Sequence, residues 1–174
     1  MKFTKPLSPS FFAANRVILF VAIALAVRLL FYFSIFSLQP EKLAIRDLDG
    51  YVNIANNVIG SGIYSRDLTP PLTPDLTRPP VYPMLLAGLM LLGKNNGSLI
   101  VLFQILIGSA TAGSTYMVGN ELHLRKSGLM VAALMVALDP ILILLGQYLL
   151  TETIFLFEWM LALLDFRDAK IAPK

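Results

Sequence analysis

Cysteine is absent from this 174-residue chain, and histidine occurs once. A disulfide and a thiolate metal site are therefore excluded, and no spacing of the other ligand types makes a metal site. Charge is scarce too. Asp, Glu, Lys and Arg make up 14% of the residues, where a soluble domain carries about a quarter. The net charge of +3 is small and spread along the chain. No dense basic patch forms, which sets nucleic-acid binding aside. No internal repeat or low-complexity tract is visible.

What is present is apolar: 56% of the residues are hydrophobic. Long apolar runs at 17–38, 98–119, 128–146 and 147–166 are each close to the ~20 residues that cross ~30 Å of hydrocarbon. They predict an all-α membrane protein with about four transmembrane helices. Lys2, Lys5 and Arg16 precede the first run, no Ala-x-Ala site closes it, and a retained signal anchor is expected. The run Val81–Leu92 reaches only ~18 Å at ~1.5 Å per residue, so an interfacial or re-entrant helix is expected there. The loop 120–127, with His123, Arg125 and Lys126, then joins residues 1–16 and the tail 167–174 on the cytoplasmic side, as the positive-inside tendency favours. His123 reads as a solvated loop residue.

Residues 39–97 are left as an extracytoplasmic loop with five basic and five acidic residues. Asp47, Tyr51, Ile54, Ala55 and Val58 recur at helical spacing and predict a short surface helix over about 47–60. Five prolines between 63 and 80 predict a loop. Asp47 and Asp49 stand where a carboxylate can cap that helix, and where it can also take a proton from a hydroxyl. Arg78 suits either anionic headgroups or a fork that grips a lipid phosphate. Lys42, Arg46 and Arg66 are weaker candidates for that task. Tyr51, Tyr64 and Tyr82 are interface tyrosines or the lining of a sugar pocket. Glu152, after Thr151, is a favourable charge at a helix start on the same side as Asp47. Arg28, Asp139 and Glu158 lie within spans, where a structural ion pair of Arg28 with Glu158 or Asp139 is expected.

Several of these residues fall in an order that resembles the N-terminal part of a GT-C-fold, polyprenyl-phosphate-dependent glycosyltransferase. The chain is similar to bacterial relatives of protein O-mannosyltransferases and lipid A aminoarabinose transferases. The similarity runs through Arg28-Leu29-Leu30, Asp47 four before Tyr51, Ile54-Ala55-Asn56 and Gly62-Ile63-Tyr64. It continues through Arg78-Pro79-Pro80-Val81-Tyr82-Pro83, Gln104, Ala137-Leu138-Asp139-Pro140 and Leu150-Thr151-Glu152.

The resemblance implies inverting sugar transfer at the extracytoplasmic face of the cytoplasmic (inner) membrane. It puts the base on Asp47, with Asp49 and Glu152 as further catalytic candidates. Substrate binding is expected at Arg78, Tyr51, Tyr64, Tyr82 and Arg46. Family members usually carry a second acidic residue directly after the first, where this chain has Leu48. The donor is expected to be a polyprenyl-phosphate sugar, with no other cofactor. Such enzymes usually have several hundred residues, so a truncated module, or one joined by a completing membrane subunit, is expected. The alternatives are a non-catalytic membrane partner and a small transporter that uses Arg28, Asp139 and Glu158 as a charge relay.

Overall fold

The computed structural model describes residues 9–36, 47, 49–94 and 97–171. Helix α1 (Pro9–Phe31) runs on into a π-helical turn, Tyr32–Phe36. Two shorter helices follow, α2 (Tyr51–Ser61) and α3 (Val81–Leu92), joined by a long loop. Helix α4 (Gly97–Glu121) leads through a tight turn to α5 (Lys126–Leu138) and α6 (Pro140–Leu145), and α7 (Glu152–Ile171) ends the described chain. No strand occurs among the described residues.

The helices pack around α4, which touches α1, α3, α5 and α7. Its contact face is rich in small residues. A Cβ on Gly113 would lie 2.6 Å from Val21 Cγ2, and one on Gly119 would lie 2.7 Å from Leu129 Cδ2. Small residues let helix axes approach where burial from water supplies little drive. At one end, Phe20, Tyr116, Leu129 and Ala133 close the bundle. A layer of Ala24, Ala112 and Ala137 lies farther along. At the other end α2 and α3 pack over the start of α4, burying Tyr51, Ile54, Tyr82, Leu86, Ile100 and Ile105.

Two helices, Ala14–Ser34 and Gly97–Glu121, are long and apolar enough to cross a membrane. The third and fourth expected spans take another form. Residues 128–146 are not one helix, because the chain breaks at Asp139 between α5 and α6. Pro140 has no N–H to continue the helix and pushes the residue before it toward extended backbone. Asp139 adopts φ −59° and ψ 118°, and its carboxylate accepts from the N–H groups of Ile141 and Leu142. The fourth helix starts at Glu152 rather than 147, after a bent, non-helical link. The surface helix expected over 47–60 starts at Tyr51, since Gly50 turns the chain through φ 75°, a conformation glycine adopts freely.

Candidate functional site

Asp47 precedes α2 and caps it. Its Oδ1 accepts from the Tyr51 N–H and its Oδ2 from the Val52 N–H, both at 2.8 Å. Burial pushes the carboxyl above its ordinary range, against the opposing pull of those N–H groups, and neighbouring Asp49 adds to the rise. Capping therefore occupies both oxygens, and burial makes the group a stronger base than a solvated aspartate.

Asp49 and Arg78 meet at 2.9 Å through Nη2 and Oδ1. The guanidinium also lies 5.7 Å from the centre of the Tyr51 ring. Tyr51 in turn meets Tyr82 edge-on, with ring centres 5.0 Å apart. The Nε of Arg78 is buried with no hydrogen-bond partner. Tyr64 serves as a strut: its hydroxyl donates to the carbonyls of Arg78 and Pro79, at 3.1 Å each. Arg46 lies outside the described residues.

The loop that carries Arg78 has no helix or strand, yet its own side chains order it. Asn57 donates from α2 to the Ser65 and Asp67 carbonyls, at 2.8 and 2.9 Å. Asp67 accepts from the Thr73 N–H and hydroxyl, and Asp75 from the Thr77 N–H and hydroxyl and the Arg78 N–H. Arg66 pairs with Asp75. The Thr77 bonds, chiefly, hold the Asp75 carboxyl down at about 2. Asp49, Asn53, Arg66, Thr73, Thr77 and Arg78 line an open cleft of about 640 Å³. An aspartate two residues before Thr77 is a signal that could have marked this turn, where the sequence reading had only a loop. The role of Asn57 left no such signal, because its partners are backbone carbonyls.

Glu152 is exposed at the start of α7 and lines a second, smaller cavity with Arg28, Thr111 and Thr153. Asp47 and Glu152 both act on Tyr82 through space. Burial chiefly pushes its phenol up from the ordinary range, and the charges of Asp47, Tyr51 and Glu152 push the same way. The structure thus brings Asp49, Arg78, Tyr51 and Tyr82 into direct contact, with Asp47 beside them. Glu152 lines the separate cavity that it shares with Arg28.

The expected ion pair of Arg28 does not form. Arg28 is 1% exposed. Its Nη1 donates to the Ala137 carbonyl at 3.0 Å and its Nη2 to the Val136 carbonyl at 3.2 Å. These are carbonyls that the helix break leaves free. Asp139 acts on the guanidinium through space, and Glu158 is exposed on α7. The carbonyls of a broken helix replace a carboxylate as the partner.

The model of the dolichyl-phosphate-mannose-protein mannosyltransferase family matches residues 77–171. The match starts one residue before Arg78 and includes Tyr82, Gln104, Asp139-Pro140 and Glu152, while Asp47, Asp49, Tyr51 and Tyr64 precede it. Comparison with curated proteins and with solved structures gave no match. With more than half of its length matched, the chain belongs to the dolichyl-phosphate-mannose-protein mannosyltransferase family, a group of GT-C glycosyltransferases.

Proposed function

We propose that the chain acts in transfer of a sugar from a polyprenyl-phosphate donor to an acceptor on the extracytoplasmic side of the cytoplasmic membrane, with inversion. The observation that carries this is Arg78. It stands at the start of the family match, held between a carboxylate and an aromatic face, with its Nε free of any partner. A guanidinium so placed can take a phosphate oxygen in a forked, charge-assisted contact.

In the proposed reaction the acceptor hydroxyl attacks the anomeric carbon as the bond from that carbon to the phosphate oxygen breaks. The acceptor proton passes to Asp47, whose burial favours its protonated form. The leaving polyprenyl phosphate departs as an anion against Arg78. A phosphate leaves readily, so the acid that glycoside hydrolysis needs is not required. Asp49 holds Arg78 until the donor phosphate claims it. Glu152 adds its charge near Tyr82, and Tyr51, Tyr64 and Tyr82 shape the pocket. The transporter alternative needs a path of charges, and Arg28 is instead committed to backbone carbonyls. A completing subunit has no support in the comparisons.

The test is retention of radiolabelled polyprenyl-phosphate mannose by the purified chain in lipid nanodiscs. Retention above that of the uncharged polyprenol, lost in Arg78→Ala, is expected. Equal retention of both lipids would overturn the proposal.

A further inference from the structure

Gln104 lies buried in α4, 1% exposed, and its amide bonds two separate parts of the chain. Its Oε1 accepts from the Tyr82 hydroxyl at 3.4 Å. Its Nε2 donates to the Tyr148 carbonyl at 2.9 Å and to the Leu150 carbonyl at 3.4 Å. Tyr82 belongs to α3, beneath the polar loop. Tyr148 and Leu150 belong to the non-helical link that ends at Glu152. Carbonyls in such a link lack helical partners, and inside a membrane protein another group must satisfy them.

The link is held near its close, where Gln104 bonds its carbonyls, while Arg28 bonds the carbonyls that end α5, one short helix earlier. Within the link, the Leu149 side chain is fully buried in the core that contains Tyr51 and Tyr82. A continuous line of contacts therefore runs from Arg78 over Tyr51, to Tyr82, to Gln104, and into the backbone two residues before Glu152.

We infer that Gln104 is a positioning residue that sets Glu152 in register with the Asp47, Asp49 and Arg78 loop. An amide suits this task because it offers an acceptor to Tyr82 and N–H donors to two carbonyls at once. A carboxylate of the same shape keeps the first contact and turns lone pairs toward the second. The inference rests on the proposal that these carboxylates serve one reaction, but the placement is measurable without any reaction.

The absence of cysteine makes a double label simple. Asn56→Cys on α2 and Phe155→Cys on α7 are both exposed positions. Spin labels there, read by pulsed EPR in nanodiscs, report how the loop end of the bundle sits against the start of α7. A narrow distance distribution is expected for the parent, and a displaced or broadened one for Gln104→Glu. Tyr82→Phe should shift it less, in the same sense. Where Gln104→Glu does not fold, Tyr82→Phe carries the same test. Ser109→Ala is the control, since it removes a buried hydroxyl bonded to the Ile105 carbonyl of the same helix. It should lower the melting temperature and leave the distance unchanged. An unchanged distance in folded Gln104→Glu, or an equal shift in Ser109→Ala, overturns the inference. A shifted distance in a chain that fails to retain polyprenyl-phosphate mannose upholds the positioning and removes the function assigned to it.

Discussion

Arg28 donates to the carbonyl of Val136, whose regular helical partner would be the N–H that Pro140 lacks. The neighbouring Ala137 carbonyl is free as well, because the Ile141 N–H is taken by Asp139. One arginine thus closes the gap that a proline opens 112 residues later in the sequence.

Arg28→Met should destabilise the fold by about 1–3 kcal/mol for each carbonyl left bare. Pro140→Ala restores an N–H to the Val136 carbonyl. The double variant should therefore lose less stability than the two single changes added together. Unfolding in mixed micelles measures all four proteins, and simple additivity would contradict the coupling.

Asp47→Asn should weaken α2 by about 0.5–1.5 kcal/mol, the net worth of one hydrogen bond, since asparagine still caps through its remaining oxygen. Both oxygens of Asp47 accept N–H bonds, so the asparagine amide would turn a donor toward one of those N–H groups. Hydrogen exchange at Tyr51 and Val52 checks this, with faster exchange expected at one of the two amides. Unaltered exchange at both would show that one oxygen is enough.

Asp49→Asn and Arg78→Ala should move lipid-phosphate binding in opposite directions. Removing the carboxylate frees the guanidinium from its ion pair, so affinity for polyprenyl phosphate should rise. Removing the guanidinium should lower it by roughly tenfold or more, about 1.4 kcal/mol for each factor of ten. Titration in nanodiscs reads both, and weaker binding in Asp49→Asn would show that the aspartate itself helps hold the ligand.

The loop of residues 63–80 should loosen in acid. The Asp75 carboxyl is held down at about 2 by its bonds to Thr77, against about 3.9 in an unfolded chain. A depressed carboxylate adds stability above the unfolded value, and that contribution fades as pH falls from about 4 toward 2. Exchange of the Asp75 and Thr77 amides, corrected for intrinsic rates, should accelerate across that window in the native chain. Asp75→Asn should flatten the dependence.

Gly113→Ala and Gly88→Ala should have opposite signs. A Cβ at 113 meets Val21 and Val17, and such overpacking costs about 1–3 kcal/mol. A Cβ at 88 meets nothing within 4 Å, so the gain in helix propensity, up to about 1 kcal/mol, should show. Thermal unfolding of both variants would expose an error in how closely α1 and α4 approach.

The sequence by itself determined the apolar runs and the cap at Asp47, while the turn at Gly50 and the break before Pro140 lay inside runs that read as continuous helix. Each depends on local chemistry: run length, freedom at positive φ, a carboxylate before a helix, a missing N–H. It also ordered the residues that mark the family, from Arg78 to Glu152. Only the tertiary structure decided the partners of the buried polar groups. Arg28 and Gln104 bond backbone carbonyls, which every residue carries and no residue type marks. Pro140 carried the local reason for the break near residue 139, but which side chain would satisfy the open carbonyls depended on how α1 packs against α5. For the same reason Asp49 was visible as a candidate, while its pairing with Arg78 required the fold to bring the two ends of the loop together.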